Sequence, residues 1–544
     1  MHKLLLPFEV RFLPLTLAVL LTLAFGALSM APVMIEWQFT FGLLTLVFAF
    51  LIVVGIHDLI QTRHSILRNY PIAAHLRFLL EGIRPEMRQY FFEGDKDGMP
   101  FPRDKRAIVY QRAKKALDKR PFGTQYDVYQ DQFEWLHHSL APKDPPGIAQ
   151  MRVVIGAAAR QPYSASLLNI SAMSYGALSA NAVRSLNKGA RMGGFAHDTG
   201  EGGVSPYHRE HGGDLIWEVG SGYFGCRGAD GTFDPGRFAA TAQDPQIRMV
   251  ELKLSQGAKP GHGGVLPGAK VTAEIAAIRG VPMGQDCVSP ARHSAFSTPA
   301  GLLEMVALMR EASGGKPAGF KLCIGHPWEF MAICKAMLDT GITPDFIVID
   351  GKEGGTGAAP MEFMDHVGMP LRDGLSFVHN ALVGVGLRDR VRLGASGKII
   401  SAFDMARVMA LGADWCNAAR GFMFAVGCIQ AQACHTGHCP TGVTSQDPLR
   451  QRAIVVPDKA ERVKSFHANT VHALAELVAA AGLSHPLELR PHHFLRRVAS
   501  DRVISFAEQY EMLAPGQLLD EPGSSRRFFE AWQMSRADSF DRAA

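Results

Sequence analysis

The stretch Leu167-Leu-Asn-Ile-Ser-Ala172, followed at once by Met173-Ser-Tyr-Gly176, sets the pattern that decides the fold. A short apolar run ends in a polar loop that contains glycine, and a longer helix-like segment comes next. Eight such runs can be counted, at residues 167–172, 194–198, 249–254, 284–288, 319–324, 345–350, 390–394 and 415–419. Short runs that alternate with helical segments are typical of a parallel sheet covered by helices, so eight units predict an α/β fold, a (β/α)8 barrel.

The loops after these runs carry the residues that could do chemistry. Four of them are Thr199-Gly-Glu201-Gly-Gly203, Gln256-Gly-Ala-Lys259-Pro-Gly261, Gly354-Gly-Thr-Gly357 and Ser396-Gly397-Lys398. Because the carboxyl ends of barrel strands meet at one mouth, we expect an active site there, with phosphate bound by the late loops.

A bound flavin accounts for this distribution better than a substrate alone does. Its phosphate would take backbone N–H groups at Ser396, Gly397, Lys398, Ala419 and Arg420. Gln256 would reach the pyrimidine edge of the ring, and Lys321 would lie near N1 to stabilise the anionic reduced ring. Met173, Ser174 and Thr199 complete the predicted cofactor contacts. The alternative for Lys321 is a lysine held in a salt bridge inside the barrel.

Three cysteines follow the eighth run within twelve residues. They are Cys428, Cys434 and Cys439, and Pro440 follows the last of them, as is common for cluster ligands. A zinc site completed by His435 or His438 is the competing interpretation. Three thiols without a clear fourth favour a three-iron cluster. The remaining cysteines, 226, 287, 323, 334 and 416, are expected to be small core residues.

Charge and cysteine usage exclude two classes of protein. The 544 residues include 56 basic and 51 acidic side chains, with a net charge of +5 and no long basic run, so nucleic acid is not an expected partner. No cysteine precedes Cys226, which argues against a disulfide framework of the kind found in small secreted domains.

The N-terminal region contains two uncharged runs, Phe12 to Ile35 and Trp37 to Ile56. Each would be about 30 Å long or more as a helix, enough to cross a hydrocarbon core, so residues 1–58 predict a transmembrane hairpin. Basic residues flank it at Lys3, Arg11, Arg63, Arg68, Arg77, Arg84 and Arg88. The positive-inside rule then predicts an inner (cytoplasmic) membrane protein with its catalytic part in the cytoplasm. A cleaved signal peptide, suggested by small residues near Ala31, is the alternative.

The rest of the chain divides into three predicted regions. Residues 59–150 form a juxtamembrane helical and connecting region, whose helices either lie near the membrane surface or pack on the next domain. Residues 151–485 form the barrel with its cysteine cluster, and residues 486–544 form a C-terminal tail.

Six motifs together resemble the FMN-binding synthase domain of bacterial glutamate synthase, in the same order. They are NISAMSYGALS, TGEGG, QGAKPGHGGVLPGAKV, GGTGAAP, LRDRVRL and GCIQAQACHTGHCPTGV, and the resemblance runs from about residue 150 to 485. It implies a (β/α)8 barrel, FMN, a three-iron four-sulphur (3Fe-4S) cluster on Cys428, Cys434 and Cys439, and reductive amination of 2-oxoglutarate to glutamate. It also implies that Glu201 and Lys259 are the catalytic residues on the substrate side.

Two departures from the family pattern affect the expected substrates. Where the family reads Gly-Glu-Gly-Gly-Gln and uses the glutamine as a substrate contact, this sequence reads Gly261-His262-Gly263-Gly264-Val265. The apolar Val265 leaves the identity of the 2-oxo acid open. The family's glutamine-hydrolysing domain is also missing, so ammonia is expected from solution, from an amidotransferase subunit or from another amine donor.

Two other functions compete with this expectation. The first keeps both cofactors but acts on another amine or oxo acid, with the hairpin linking the enzyme to a quinone-reducing or quinol-oxidising partner as its electron-donor or acceptor subunit. The second is a membrane scaffold that has lost catalysis. Retention of Glu201, Lys259, Lys321 and the three clustered cysteines argues against the scaffold.

Overall fold

The structure, a computed structural model, describes residues 9–521, 523 and 525–543, so Lys3, one of the charges before the first apolar run, lies outside the described residues. The chain forms two compact units, Met1–Asp104 and Lys105–Ala544. Each unit is described separately below.

The first unit is helical. Its helices are α1 (Leu13–Met30), α2 (Gln38–Ile60), α3 (Ser65–Asn69) and α4 (Ala73–Met87), and a 3₁₀ turn joins the first two. Helices α1 and α2 form an antiparallel hairpin in which the ring of Phe25 stacks on Phe41 and Phe48, with ring centroids 6.0 and 5.7 Å apart. Both are long and apolar enough to cross a membrane, with mean hydropathies of 2.0 and 2.6 and little of their surface buried.

The second unit contains a closed barrel and three small sheets. Its strands are β1 (Glu134–Leu136), β2 (Arg152–Ile155), β3 (Tyr163–Ser166), β4 (Leu168–Ile170), β5 (His197–Asp198), β6 (Leu215–Val219), β7 (Ile247–Lys253), β8 (Val265–Leu266), β9 (Cys287–Val288), β10 (Ala318–Leu322), β11 (Phe346–Asp350), β12 (Arg392–Ser396), β13 (Trp415–Ala418), β14 (Phe494–Ala499) and β15 (Arg502–Ser505). The parallel barrel runs in the order β4-β5-β6-β7-β10-β11-β12-β13 and closes from β13 onto β4. The (β/α)8 prediction is therefore confirmed.

The remaining α-helices come between or after these strands, apart from α5, which precedes β1. They are α5 (Arg103–Ala113), α6 (Ala180–Gly193), α7 (Pro206–Arg209), α8 (Pro235–Ala242), α9 (Ala273–Arg279), α10 (Pro299–Ala312), α11 (Pro327–Thr340), α12 (Met361–His366), α13 (Leu371–Gly384), α14 (Ala402–Ala410), α15 (Arg420–Val426), α16 (Pro448–Gln451), α17 (Val456–Ala480), α18 (Phe506–Gln509), α19 (Gln517–Asp520) and α20 (Arg526–Gln533). Helix α6 shows how the sequence sets these bounds. The Ser179 hydroxyl accepts a hydrogen bond from the Ala182 N–H at its start, and Gly194 ends it in a left-handed conformation.

The C-terminal residues pack on the barrel unit. Strand β14 pairs with β1 and β15, and the ring of Phe528 in α20 stacks on Phe377 in α13 with centroids 5.4 Å apart. The segment predicted as a tail therefore contributes to the second compact unit.

One predicted barrel strand was wrong. Residues 284–288 do not enter the barrel; Cys287–Val288 form β9, which pairs antiparallel with β8 in a small hairpin, and Gly284 has a left-handed φ of 72° that breaks the extended run. The missed barrel strand is β6. Its preceding helix α7 has only four residues, so the chain shows no long helical segment before β6. The loop that contains Lys259 therefore follows the fourth barrel strand, β7, and not the third.

Polar side chains line the upper interior of the barrel. The register pairs Glu218 with Glu251, Lys253 with Lys321, and Asp350 with Ser396. Because paired residues on neighbouring strands point to the same face of a sheet, these side chains share the interior face. The interior near the strand ends is consequently charged rather than filled with branched apolar residues.

A buried ion-pair cluster occupies this layer. The Lys321 ammonium donates to the Glu218 carboxylate and lies 3.5 Å from Glu251 Oε1, and Asp198 completes a group of three carboxylates whose oxygens lie within 4.8 Å of one another. Burial disfavours the ammonium, but the carboxylates outweigh burial and hold the pKa of Lys321 well above its ordinary value. Burial, with Glu218 nearby, raises the pKa of Asp198 to about 7.

Replacing Lys321 with Met should destabilise the barrel strongly. The change leaves buried carboxylates without their counter-charge, and breaking such a pair costs roughly 3–5 kcal/mol. Lys115→Met is the matched control, because the Lys115–Glu461 pair is largely exposed and its loss should cost no more than about 1 kcal/mol. Denaturant titration of both variants measures the difference, and equal midpoints for Lys321→Met and the unmodified protein would rule out this role.

Candidate active site at the barrel mouth

The Glu201 carboxylate meets several cationic side chains near the end of β7. Lys253, the last residue of that strand, places Nζ 2.9 Å from Glu201 Oε1 and donates to Gln256 Oε1 at 2.6 Å. Ser289 Oγ donates to the other Glu201 oxygen at 3.4 Å. Burial favours the neutral carboxyl, but Lys253, Arg279 and Lys259 outweigh it, so the pKa of Glu201 is lowered and the group is a carboxylate at neutral pH.

Lys259 lies under the loop that follows β11. The residue is only 2% exposed, and its ammonium donates a hydrogen bond to the Ala358 carbonyl at 3.0 Å. Burial lowers the pKa of Lys259 to about 8, although the Glu201 carboxylate opposes that shift. An amine with this pKa is mostly cationic at pH 7 and can change its protonation state within the physiological range.

Glycines bring backbone close to these groups. A Cβ on Gly264 would lie 2.2 Å from Glu201 Oε1, and one on Gly257 would lie 1.7 Å from the Gly351 carbonyl. Side chains at either position would displace the carboxylate or the neighbouring loop. These two glycines therefore shape the mouth.

The predicted phosphate loop ends β12. Gly397 has a φ of 152° and Lys398 a left-handed φ of 50°, a conformation that non-glycine residues seldom adopt outside functional or strained sites. Ser396 Oγ lies 3.3 Å from Ser171 Oγ, so the ends of β12 and β4 are linked. The guanidinium of Arg420 donates to the Thr356 carbonyl at 2.7 Å and lies against Gly355. The predicted phosphate residues thus lie at neighbouring strand ends.

Other predicted cofactor positions have protein partners. Ser174 Oγ accepts from Arg279 at 3.3 Å, and Thr199 Oγ1 accepts from the Glu218 N–H at 3.2 Å. Met173 is buried beside Ser174, and Ala419 precedes α15. Gln256 faces Lys253, as described above. Lys321 makes the salt bridge that the alternative interpretation predicts, one layer inside the barrel.

The three clustered cysteines lie in the segment after α15. Cys428 Sγ accepts from the Gln430 N–H at 3.4 Å, and Cys439 Sγ lies 3.5 Å from Thr441 Oγ1. Burial raises the pKa of Cys428 to about 11, and the charges of Cys434 and Cys439 contribute in the same direction. The three sulphur atoms are therefore electrostatic neighbours.

Lys270 connects this segment to the barrel. Its buried ammonium donates to the Ala177 carbonyl at 3.0 Å and to the Cys434 carbonyl at 3.3 Å. Gln446 donates to the carbonyls of Gly176 and Leu178 at 3.0 Å, and the Tyr110 hydroxyl donates to the Cys428 carbonyl at 2.6 Å. The cysteine segment is thus fixed on the loop that follows β4.

Sequence reasoning missed three cationic residues of the site, Lys253, Lys270 and Arg279. The signal for Lys253 was present, because Glu251 and Lys253 alternate with apolar residues in β7 and so share one face of the strand. Lys270 and Arg279 lie in the long connection between β7 and β10. No periodic sequence pattern there predicts which way their side chains point. The substituted position Val265 pairs with Val288 in the β8–β9 hairpin, beside the Gly264 that contacts Glu201.

Comparisons with known proteins converge on one group. The sequence profile described as the conserved region in glutamate synthase matches residues 123–484. The glutamate synthase large subunit-like protein YerD of Bacillus subtilis is 37% identical over 507 residues, which cover 86% of this chain and 96% of that protein. The archaeal glutamate synthase [NADPH] of Methanocaldococcus jannaschii is 37% identical over 322 residues, which cover 59% of this chain and 60% of that protein.

Two further matches extend the comparison. The glutamate synthase [NADPH] large chain of Bacillus subtilis is 34% identical over 320 residues, but this chain covers only 20% of its length. A solved structure of a flavocytochrome b2 double mutant with pyruvate bound aligns with a TM-score of 0.39 at 10% identity, over 77% of this chain and 85% of that one.

Proposed function

The chain belongs to the glutamate synthase family, and from that membership and the geometry of the barrel mouth we propose that it is an FMN-dependent oxidoreductase acting on CH–NH₂ groups. Its reaction is the reductive amination of 2-oxoglutarate or a related 2-oxo acid, with ammonia or a partner-supplied amine. The observation that carries the proposal is the contact of Lys253 with Glu201, with the Lys259 ammonium in the same electrostatic cluster, beside the turn that ends β12.

The residues present fit a flavin nucleotide. The turn at Ser396, Gly397 and Lys398 has backbone angles found at ligand-binding turns, and close backbone packing at Gly257 leaves room for no additional side chain. Bound there, FMN supplies hydride transfer to the substrate carbon. Lys253 donates a hydrogen bond to Gln256 at the same edge of the mouth. A contact between Gln256 and the flavin ring would therefore also affect the position of Lys253.

Lys259 and Glu201 divide the work on the substrate. The Lys259 ammonium binds the oxo-acid carboxylate or polarises its carbonyl, and to do so it exchanges the Ala358 carbonyl for the substrate. The Glu201 carboxylate, kept ionised by Lys253, accepts and returns protons during imine formation. Lys259 is buried and Glu201 is partly buried, which strengthens their electrostatic effect on the substrate.

The cysteine segment favours an iron-sulphur cluster over a single zinc ion, because it offers three thiols without a clear fourth ligand and Pro440 follows the last of them. We assign Cys428, Cys434 and Cys439 as the ligands that would hold a 3Fe-4S cluster, which would supply one-electron transfer when bound.

The hairpin of α1 and α2 anchors the enzyme in the cytoplasmic membrane. Both helices carry their apolar side chains on the surface, which suits lipid rather than a protein core. Arginines after α2 support a cytoplasmic location for the second unit under the positive-inside rule. An electron-donor subunit and an amidotransferase subunit are the proposed partners, because the reaction requires electrons and an amine.

One observation favours a second candidate, an oxidoreductase of the same cofactors on a different amine or oxo acid. Val265 presents an apolar side chain in the hairpin next to the Glu201 contact, where the family pattern has a glutamine. A substrate with an apolar distal end would suit that position better than 2-oxoglutarate does. A screen of 2-oxo acids with and without ammonium separates the two candidates.

Loss of Lys259 or Glu201 should abolish most turnover while leaving the protein folded. Lys259→Ala and Glu201→Gln are each expected to reduce oxo-acid amination by roughly a hundredfold or more and to retain FMN, since neither belongs to the phosphate turn. Steady-state rates and the flavin absorbance measure both effects, with Lys115→Ala as the control. Full activity in both variants would refute these roles.

The affinity for the oxo acid should fall as pH rises through about 8, the pKa of Lys259. The ammonium is present below that pKa and lost above it, so KM should rise on the alkaline side. Lys259→Arg keeps a cation at all accessible pH values and should move the alkaline limb to higher pH. An alkaline limb that stays unchanged in Lys259→Arg would assign the titration to another group.

Replacing Cys434 with Ser should remove bound iron and acid-labile sulphide while FMN remains. Cys334→Ala is the matched control, because Cys334 is buried within α11 and lies outside the cysteine segment. Metal analysis and the visible spectrum give the readout. One zinc per chain without sulphide, in the unmodified protein, would contradict the cluster.

A reporter fused after residue 95 should be cytoplasmic, and one inserted beside Glu36 should be external, because the hairpin crosses the membrane twice. Alkaline phosphatase and green fluorescent protein fusions report the two locations. Recovery of a chain that begins just after Ala31 would instead establish signal cleavage.

A further inference from the structure

Helix α4 is fixed to the end of the second apolar helix. Asp58, two residues before the end of α2, is fully buried and accepts a hydrogen bond from the Ile72 N–H at 2.9 Å. His75 Nε2 in the first turn of α4 lies 3.0 Å from both Asp58 oxygens. The start of α4 therefore lies at the level of the last turn of α2. If α2 crosses a bilayer, α4 begins at its surface.

One side of α4 faces the rest of the first unit. Ala74 is buried at 5% exposure, and the ring of Phe78 packs edge-on against His64 with centroids 5.6 Å apart. Phe78 and Ala74 are four residues apart and so lie on the same side of the helix. This side, together with His75, accounts for the contacts that orient α4.

The opposite side is apolar and exposed. Its residues, at helical spacing, are Leu76, Leu79, Leu80, Ile83 and Met87, with exposures from 37 to 60%. The π-helical turn that continues α4 adds Tyr90, Phe91 and Phe92 at 53 to 75% exposure. A soluble surface seldom presents so continuous an apolar face without a partner.

Basic residues border this face. Arg77, Arg84 and Arg88 recur at spacings of seven and four residues, so they lie along one flank of the apolar side chains. Arg77 pairs with Glu81 at 2.8 Å, and the Arg side chains extend into solvent. Arginine beside a leucine-rich face is the arrangement by which a helix lies in a headgroup layer.

The length of α4 excludes a third span. Its 15 residues extend about 22 Å, short of the roughly 30 Å of a hydrocarbon core, and the helix carries charged side chains throughout. A helix that begins at the membrane surface and cannot cross it has lipid headgroups along one side.

We propose that α4 and the following π-helical turn lie in the headgroup region of the cytoplasmic leaflet, with Leu76, Leu79, Leu80, Ile83 and Met87 inserted among the acyl chains. The inference rests on the proposed membrane anchoring and adds a second lipid contact to it. The occupant of the exposed face is the lipid surface itself, because the continuity of α2 with α4 through Asp58 places that face at the bilayer. Apolar faces of such helices are buried about 5–10 Å deep.

Depth-dependent quenching in the full-length protein tests this. Leu79→Trp and Glu81→Trp place a new indole on the apolar face and on the polar side of the same helix, and both positions are exposed, so neither change should affect folding. Each holoprotein is reconstituted into vesicles of phosphatidylcholine and phosphatidylglycerol, with phosphatidylcholine brominated near the carboxyl end of its acyl chains. Emission is compared with that of the unmodified protein, which carries six native tryptophans.

We expect the emission added by Leu79→Trp to lose roughly half or more of its intensity, as insertion to 5–10 Å predicts, and that added by Glu81→Trp to lose little. Ile83→Trp should repeat the Leu79→Trp result if the latter proves poorly folded. Blue-shifted but unquenched emission at both apolar positions would mean that a protein surface, either the second unit or another copy, covers the face, and would overturn the proposal. Flotation of the unmodified protein with vesicles separately tests the anchoring: failure to float would overturn both, whereas flotation without quenching overturns the lipid contact of α4 alone.

Discussion

The ion pairs of Lys321 inside the barrel are the interaction on which the mouth depends. Closing eight parallel strands brings Asp198, Glu218 and Glu251 into one buried layer, where carboxylates cannot all remain ionised without a counter-charge. The Lys321 ammonium, on the strand next to β7, supplies that charge. Because the register pairs Lys253 with Lys321, the neighbouring strand β7 presents a second lysine beside this layer, at the strand end that faces the mouth.

From that layer outward, the cations of the site hold a carboxylate of the loop after β5 and two carbonyls of the loop after β11. Lys253 holds Glu201, Lys259 holds Ala358, and Arg420 holds Thr356. The loop after β11 is therefore attached to two cations that an anionic ligand would also attract. A phosphate or carboxylate entering the mouth competes with backbone carbonyls, which are weaker acceptors than an anion, so ligand binding and the position of this loop are coupled.

Much of the fold could be predicted from the sequence, because a buried parallel strand reads as an apolar run that ends in a polar loop. Seven of the eight predicted runs are barrel strands. The exception, residues 284–288, shows the limit of that pattern: a short extended segment in a hairpin has the same composition as a barrel strand. Strand β6 was missed because the prediction relied on a long helical segment between successive strands. Helix α7, which precedes β6, makes only a single turn.

Site residues that belong to a sequence motif could be predicted. Residues whose role depends on packing between distant parts of the chain could not. Glu201, Lys259 and the predicted phosphate turn all lie in loops at the carboxyl ends of barrel strands. The roles assigned to them stay predictions. The partner of Lys321 could not be read from the sequence, because it depends on which strands are adjacent. The same holds for Lys270, whose contact with Cys434 spans 164 positions of the chain.

Val265 separates two functions of the mouth, the amination chemistry and the recognition of the distal end of the substrate. In the proposed function Glu201 and Lys259 act on the carboxylate and carbonyl that every 2-oxo acid has, and Lys253 is linked to both of them through charge. Val265 lies in the β8–β9 hairpin and contributes neither charge nor a hydrogen-bonding side chain. Such a site can keep the chemistry of amination unchanged while it loses discrimination at the distal end of the substrate, since an apolar contact rejects an analogue far less strongly than an unpaired polar group does.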